Sequence, residues 1–282
     1  MDSTPYTTIQ AHLQGGVCTL TLNRPEVRNA MSLAMVHELL AALRAAEGDA
    51  AVRVLVLRGA GGHFCAGGDI SDMAQARMKL AQREAASGGA AANDAADPVA
   101  DFNAQFGRLC LAYARTPLPL VTVLEGTVMG GGFGLACVSD VSLAAPSTLF
   151  RLPETALGVI PAQIAPFLVE RLGYAEAKRL AVTGAKIDAA QALLIRLVHE
   201  VAPDAAALEA ALQRTVASIL ACAPGAIAAT KGLLARARSE APDGLIDEAA
   251  ALFSRAVLSD EGQEGTSAFM QKRKPYWVPK EA

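Results

Sequence analysis

The sequence lacks the features of a membrane-spanning, exported or nucleic-acid-binding protein. No uncharged run in its 282 residues reaches the roughly 18 residues that a membrane helix needs, and the longest, 215–230, contains Pro224 and Gly225. The first ten residues have neither a basic nor an apolar segment, so we expect no export signal. The 25 basic and 28 acidic residues give a net charge of −3, which supplies no broad positive field. We therefore expect a cytoplasmic protein that binds neither nucleic acid nor membranes.

Cysteine is sparse and follows no pattern. The five cysteines form no CxxC pair and have no histidine at metal-ligand spacing, so they predict buried, reduced thiols and no metal site. A chain of this length buries roughly 75% of its unfolded surface, so its fold needs neither disulfides nor a structural metal. The cysteines are Cys18, Cys65, Cys110, Cys137 and Cys222.

Several catalytic and nucleotide-binding motifs are also missing. The sequence contains no GxGxxG or GxxxxGK[ST] loop, no Gx[ST]xG elbow and no HExxH pair. Dinucleotide-binding, P-loop, triad-hydrolase and zinc-protease functions therefore lack their residues.

Hydrophobic patterning predicts an α/β fold to about residue 150, followed by helices. We expect a hairpin over 6–22 and a helix that begins after the N-cap Ser32. The low-complexity stretch 85–97 is expected to be mobile. From residue 160 the chain is predicted to be almost wholly helical, and its last third to form a cap or an oligomerisation layer. The predicted strands are 52–59, 119–126 and 141–145, and the predicted helices are 162–172, 174–182, 188–196, 204–221, 225–238 and 243–258.

Two glycine-rich loops follow two of the predicted strands. The first is Ala66-Gly67-Gly68-Asp69 and the second is Gly130-Gly131-Gly132. Glycines where a strand meets a helix allow a ligand to approach backbone N–H groups, so two such loops can form an oxyanion hole. A pair of tight structural turns is the alternative.

Glu154 is the main candidate acid–base group. Pro153 precedes it and its flanks are apolar, and a carboxyl group in apolar surroundings has a raised pKa and exchanges protons near neutrality. The alternative is a carboxylate that interacts with a helix N-terminus. Glu125 and Asp140 flank the second loop and are predicted to be structural, in caps or salt bridges.

Several ordered motifs together resemble the crotonase family, also called the enoyl-CoA hydratase/isomerase family. The similarity runs from about Ile9 to Trp277. It is carried by LNRPEVRNAMS (22–32), VLVLRGAGGHFCAGGDISDM (54–73), PLVTVLEGTVMGGGFGLACVSDVSLAA (119–145), LPETALGVIP (152–161) and LAVTGAKIDAAQALLIRLVHEV (180–201).

The resemblance implies a ββα spiral core over residues 1–200 and a helical trimerisation region over 201–282, in trimers that often stack as hexamers. It implies acyl-CoA substrates and no metal or redox cofactor. CoA itself does not count as a cofactor, because it is part of the substrate. Catalytic roles fall on Glu154 and on the backbone N–H groups of Ala66 and Gly131, which would hold the thioester oxygen. Acyl-CoA binding is assigned to Arg28, Ala30, Ala66, Gly67, Gly68, Asp69, Ile70, Gly131, Gly132, Gly134 and Pro153.

One position departs from the family pattern. Typical hydratases carry two glutamates, and here the first is replaced by Gly134 while Glu154 keeps the second. A single carboxylate is typical of Δ3,Δ2-enoyl-CoA isomerases. The stretch 162–173, however, resembles bacterial hydratases of 3-substituted glutaconyl-CoA in leucine and acyclic terpene degradation, which also have this glycine. We expect such a hydratase. Its substrate brings a distal carboxylate, and either this carboxylate or water ordered by backbone groups would supply the function of the missing glutamate.

Other functions stay open at this point. They are an isomerase that uses Glu154 alone, a catalytically silent acyl-CoA-binding member, and dehalogenation, decarboxylation or thioester hydrolysis. His63 precedes the first loop and is either a base or, more simply, a surface histidine. Lys272, Arg273 and Lys274 either contact CoA phosphates of a neighbouring subunit or form a solvated charge run. The acyl-tail pocket is expected to come largely from the stretch 70–115.

Overall fold

The chain begins with a β-hairpin in the computed structural model, which describes residues 6–86 and 97–279. Strands β1 (Ile9–Gln14) and β2 (Val17–Leu22) pair antiparallel. Gly15 and Gly16 both have positive φ, at 57° and 83°, as a two-residue turn between twisted strands requires. The hairpin predicted over 6–22 is confirmed.

The two strands of the hairpin lie at one edge of a sheet of six strands, and three further strands form a second sheet. The large sheet has the order β1-β2-β3-β4-β6-β9 and is parallel from β2 onward; in the small sheet β5 pairs parallel with β7, and β7 antiparallel with β8. The remaining strands are β3 (Val54–Gly59), β4 (Leu120–Leu124), β5 (Thr127–Met129), β6 (Val141–Ala144), β7 (Leu149–Arg151), β8 (Lys186–Asp188) and β9 (Glu200–Val201).

Ten α-helices occupy the described residues. Ser32 caps the first of them by accepting the N–H of Met35 at 3.2 Å, as predicted. The helices predicted over 162–172 and 174–182 meet at Gly173, whose φ of 72° breaks the helical path inside α5. The helices are α1 (Leu33–Glu47), α2 (Ile70–Ala86), α3 (Pro98–Arg115), α4 (Gly131–Val138), α5 (Ala165–Thr183), α6 (Ala189–Leu194), α7 (Ala205–Leu220), α8 (Pro224–Ala237), α9 (Pro242–Leu258) and α10 (Asp260–Met270).

The expectation of an almost wholly helical chain after residue 160 is wrong at two places. β8 and β9 are strands of three and two residues, which are too short to show an alternating pattern, and pairing with β7 and β6 stabilises them. The low-complexity stretch 85–97, apart from its ends, lies outside the described residues.

Helices cover both faces of the large sheet. One core contains α1 and α3 with the side chains of Leu55 and Leu57, and the other packs α7 against Val56 and Val123. α7 lies in the region predicted as a separate helical part, yet Leu208 on α7 is buried in the second core. The boundary at residue 200 therefore stays a prediction, and the packing of α7 crosses it.

All five cysteines lie in the described ranges, and none of them is in a disulfide. Four are buried as predicted, but Cys222 is exposed, because it follows α7 at the surface. Within residues 6–86 and 97–279 no single helix has the length and apolarity to cross a membrane; α7 and α8 meet those criteria only as a pair, bent by 98°.

Candidate active site

The first glycine loop, residues 63–69, is held by hydrogen bonds on both sides. On one side Cys65 donates to the Thr127 carbonyl, and Met129 donates back to the Cys65 carbonyl, both at 2.9 Å. On the other side the Met31 N–H donates to the Gly67 carbonyl at 2.7 Å, and the Asp69 N–H donates to the Met31 carbonyl at 3.0 Å. The loop is thus an extra strand between the Met31 segment and β5, which fixes the direction of each N–H in it.

That pairing corrects the role expected for Ala66. The Ala66 N–H donates to the Arg28 carbonyl at 3.0 Å, so it points away from any substrate. The Gly68 N–H has no acceptor among the described residues, and Gly68 lines a cavity of about 570 Å³. In this loop the available donor is therefore Gly68, two residues beyond the expected one.

The second donor is Gly131, the first residue of α4. N–H groups in the first turn of a helix have no intrahelical acceptor, and Gly131 lines the same cavity as Gly68. The two glycine loops touch, since a Cβ on Gly67 would lie 3.4 Å from the Met129 carbonyl oxygen and 3.8 Å from Gly130 Cα. Gly67 has a φ of 102°, a backbone conformation that favours glycine.

Gly68, Gly131 and Glu154 meet in one cavity of about 570 Å³. As expected, much of its wall comes from the stretch 70–115 on α2 and α3. Most lining side chains are apolar, and the polar ones are Arg77, Asp97, Asn103, Glu154 and Gln163. The apolar ones are Met31, Leu33, Val36, Met73, Val99, Ala100, Phe102, Phe106, Val159, Ile160, Pro161, Ala162 and Ile164.

The Glu154 carboxylate lies against the second loop. Its Oε1 would be 3.0 Å from a Cβ on Gly130, and its Oε2 is buried with no hydrogen-bond partner among the described residues. Although Glu154 precedes the short 3-10 helix Thr155–Leu157, its side chain makes no capping bond. Burial raises the pKa of Glu154 above its ordinary value, and a hydrogen bond from its own backbone lowers it only in part. Of the two readings of Glu154, the geometry supports the proton-exchanging carboxyl group.

The place of the missing first glutamate is filled. A Cβ on Gly134 would lie 2.3 Å from Ile164 Cγ2 and 3.5 Å from Phe106 Cε1. Gly134 is buried beneath these side chains and does not line the cavity, which corrects its assignment to the binding site. Gly132 is corrected in the same way, because a Cβ there would lie 2.7 Å from Cys65 Cβ. Both glycines are packing positions.

Asp69 holds the first loop in place. Arg24 Nη1 donates to Asp69 Oδ2 and to the Ala30 carbonyl, both at 2.7 Å. Burial alone would raise the pKa of Asp69, but hydrogen bonds from Ser71 and Arg24 outweigh it and hold the pKa below its usual value. The side chain of Asp69 is only 11% exposed. Asp69 and Ala30 therefore support the loop, and sequence reasoning missed Arg24 because its partner is 45 residues away.

Asn29 ties the same region together from a buried position. Its Oδ1 accepts from the Arg24 N–H at 2.8 Å, and its Nδ2 donates to the carbonyls of Ala60 at 2.9 Å and His63 at 2.6 Å. His63 Nδ1 accepts the N–H of Thr127 at 3.2 Å. This bond makes His63 a link between loops and gives no support to its proposed role as a base.

The other expected binding residues lie around this frame. The side chain of Arg28 is exposed, with a left-handed φ of 51°, and Ile70 is 73% exposed at the start of α2. Pro153 is half-buried beside Glu154, and its carbonyl accepts from Leu157 at 3.2 Å. In the basic run, Arg273 is bound by Glu264 through both of its Nη atoms.

The structural roles predicted for Glu125 and Asp140 are confirmed. Glu125 pairs with Arg58 at 3.7 Å. Asp140 accepts the N–H of Leu120 at 2.7 Å and pairs with Lys231. In the part of the chain that the structure describes, no three His, Cys, Asp or Glu side chains are grouped as metal ligands.

Comparison with known proteins agrees with this fold. The profile of the Enoyl-CoA hydratase/isomerase family matches residues 12–280. The chain is 33% identical to the 2,3-dehydroadipyl-CoA hydratase of Escherichia coli (strain K12) over 264 residues, 93% of this chain and 95% of that one. Among solved structures, Pseudomonas aeruginosa AtuE is 50% identical with a TM-score of 0.89, over 97% of this chain and 100% of that one. An enoyl-CoA hydratase/isomerase from Marinobacter aquaeolei is 47% identical with a TM-score of 0.88, over 96% and 99%.

The six-stranded sheet with helices on both faces, together with the similarity to these solved structures, defines a crotonase-fold enzyme. This chain belongs to the enoyl-CoA hydratase/isomerase family.

Proposed function

We propose that the protein is an enoyl-CoA hydratase that adds water across the C2=C3 bond of a branched, acidic enoyl-CoA of the glutaconyl type. The observation that carries the proposal is the meeting of the Gly68 and Gly131 N–H groups with the buried Glu154 carboxylate in one cavity. Two donors suit a developing thioester enolate, and the carboxylate suits proton transfer next to it.

In the proposed reaction the thioester oxygen accepts hydrogen bonds from Gly68 and Gly131. Water attacks C3 while Glu154 takes one of its protons, and the C2=C3 electron pair moves onto the thioester as an enolate. Glu154 then gives that proton to C2, so that one water is added and the carboxylate is restored. Loss of one oxyanion donor typically costs about 3–4 kcal/mol of transition-state stabilisation. The chemistry needs no metal or redox cofactor, and the proposal includes none.

One carboxylate is proposed to perform both proton transfers, because Ile164 and Phe106 cover the place of a second. The other acidic side chain in the cavity wall is Asp97, which accepts the N–H groups of Val99 and Ala100 at the start of α3. This single-carboxylate site also favours a second candidate function. In a Δ3,Δ2-enoyl-CoA isomerase, Glu154 would move one proton between C2 and C4.

The acidic acyl group is supported by the cavity and by a relative. Arg77 places a positive charge in the cavity wall. The E. coli relative is named for 2,3-dehydroadipyl-CoA, a thioester of a dicarboxylic acid. CoA is proposed to follow the first loop and the exposed Arg28.

The proposal also includes a cytoplasmic homo-oligomer, either a trimer or a hexamer. Large apolar side chains are exposed on the C-terminal helices, with Phe253 at 71% and Phe269 at 85% exposure. Exposed apolar groups in such numbers suit burial between subunits. Light scattering or sedimentation of the purified protein measures the assembly.

The first test is an absorbance assay of three thioesters with purified protein. If 3-methylglutaconyl-CoA alone loses its conjugated enoyl signal, the acidic-substrate hydratase is supported. If conjugation instead forms from 3-hexenoyl-CoA, the isomerase is correct, and hydration of crotonyl-CoA alone would reject the acidic acyl group. A Glu154→Gln variant that binds the thioesters without turnover assigns each activity to the carboxylate. A wild-type protein that binds all three and converts none would be a silent binding protein.

A further inference from the structure

A pair of carboxamides interrupts the apolar wall of the cavity. Gln163, in the segment before α5, donates from Nε2 to Oδ1 of Asn103 on α3 at 2.8 Å. Both residues line the cavity that holds Glu154. Neither was singled out from the sequence, because they are 60 residues apart.

A glycine on α3 leaves the space that this pair occupies. Gly107 lies one helical turn after Asn103, and a Cβ on it would be 2.0 Å from Gln163 Oε1 and 2.9 Å from Gln163 Cδ. The Gln163 carboxamide therefore lies directly on α3, in space that any other residue at position 107 would fill. Contact with α3 and the bond to Asn103 hold its orientation.

This pair of carboxamides retains N–H donors that no described residue accepts. Two carboxamides carry four N–H bonds, and their mutual hydrogen bond uses one. No acceptor for the other three exists among the described residues. Donors in an otherwise apolar wall bind most strongly to a ligand that brings its own acceptor, above all an anionic one.

Asn103, the α3 member of the pair, is displaced along the helix from the residue that contacts the second oxyanion donor. A Cβ on Gly131 would lie 2.9 Å from Phe106 Cζ, so Phe106 marks the end of the cavity that holds the thioester oxygen. Asn103 precedes Phe106 by three residues, which is about 4.5 Å along the helix axis. This displacement suits the far end of a short acyl chain whose thioester is bound at Gly131.

Charge in the cavity wall points to the same ligand group. Arg77 makes no ion pair within the described residues, whereas Asp97 is already bound by two N–H groups of α3. Apart from the reacting carboxyl group of Glu154, the unused charge of the wall is therefore positive.

We propose that Asn103 and Gln163 determine the substrate specificity of this site by binding, through their N–H groups, a carboxylate at the far end of the acyl chain. Arg77 adds long-range attraction for the same group. The assignment rests on the proposed function in that it takes an acyl-CoA as the ligand. It adds the residues that distinguish an acidic chain from an apolar one of equal shape.

The test compares two thioesters of matched shape, 3-methylglutaconyl-CoA and 3,5-dimethylhex-2-enoyl-CoA, in which an isopropyl group replaces the carboxylate. Binding is measured by calorimetry with their saturated analogues, 3-methylglutaryl-CoA and 3,5-dimethylhexanoyl-CoA, and turnover is measured by absorbance. Gln163→Met keeps the side-chain length and removes the donors. Asn103→Asp keeps the acceptor for Gln163 Nε2 but replaces the Nδ2 donors with negative charge. Gln105→Met is the control, since Gln105 is on α3 and does not line the cavity.

We expect Gln163→Met to weaken binding of the acidic thioester about tenfold to a hundredfold, as loss of a hydrogen bond to a charged group does. Asn103→Asp should weaken it further, and both should leave the apolar thioester within about twofold. Equal effects on both thioesters, or no preference for the acidic one in the wild type, would overturn the proposal. If the wild type prefers the acidic analogue yet hydrates neither enoyl thioester, this assignment stands and the hydratase function fails.

Discussion

Adding one methyl group at Gly134 tests the packing that replaces the first glutamate. In Gly134→Ala the new Cβ would lie 2.3 Å from Ile164 Cγ2 and 3.2 Å from Ile164 Cβ. Carbon atoms in contact prefer about 3.5–4.0 Å, so Ile164 must move by more than about 1 Å. Ile164 is 3% exposed and lines the cavity, so the space into which it can move is that of the proposed substrate.

The expected cost follows from two opposing effects. Overpacking a filled core costs about 1–3 kcal/mol, while alanine in place of glycine inside a helix contributes about 0.5–1 kcal/mol of stability. The net loss is about 1–2 kcal/mol. At about 2–4 °C per kcal/mol for a domain of this size, the melting temperature falls by about 2–8 °C.

A double-mutant cycle measured by thermal or urea unfolding, at fixed protein concentration, isolates the contact. Ile164→Ala alone should cost about 2–5 kcal/mol, and in that background Gly134→Ala should cost nothing or restore part of the loss. Gly232→Ala on α8 is the matched control, since a Cβ there meets nothing within 4 Å. Additive costs, or equal effects of alanine at 134 and 232, would refute the reasoning.

Variants at three further positions test the site and the loop that supports it. Glu154→Gln should reduce turnover about 10²–10⁴-fold. Burial raises the pKa of Glu154 in the folded state, so the stability of the wild type falls as pH rises from 4.5, the ordinary pKa of this group, through the raised pKa. The Glu154→Gln variant carries no charge at this position. It should therefore have a higher melting temperature than the wild type at about pH 8 and none of that gain at about pH 4. Gly68→Pro removes the proposed oxyanion N–H and should lower kcat about 10²–10³-fold. Gly68→Ala keeps this N–H and its Cβ meets nothing within 4 Å, so it should stay active. Equal kinetics of the two variants would reject Gly68 as a donor. Arg24→Met should cost about 1.5–3 kcal/mol. Because the pKa of Asp69 is lowered, the stability from its pair with Arg24 is present above 3.8, the ordinary pKa of this group, and is lost as pH falls through the lowered pKa. The loss of unfolding free energy in Arg24→Met, measured with urea, should therefore shrink in acid. A loss that does not depend on pH would contradict the ion pair.

The main elements of the fold could be predicted from the sequence, and the short ones could not. The hairpin, Ser32 and the strand before the first loop have clear patterns, because alternation and capping are local properties. β8 and β9 contain three and two residues and depend on pairing with distant strands. No local pattern could indicate them.

The site could be predicted as a set of loops and one carboxylate, but not in its geometry. Which N–H faces the substrate depends on the pairing of Ala66 with Arg28, a contact between segments 38 residues apart. The resemblance therefore identified a loop that lines the cavity, but not which N–H in that loop is without an acceptor among the described residues. The Asn103 and Gln163 pair was missed for the same reason, since its only signal is a glycine at 107 whose partner is distant in sequence.

The contact between Gly134 and Ile164 also constrains the order in which this site can change over time. A glutamate introduced at 134 meets a filled core, so that single step is unfavourable while isoleucine remains at 164. A smaller residue at 164 leaves a cavity and is unfavourable in its turn, but it makes the second step acceptable. A lineage that regains two carboxylates must therefore change position 164 first, and a library that varies only one position at a time will not recover them.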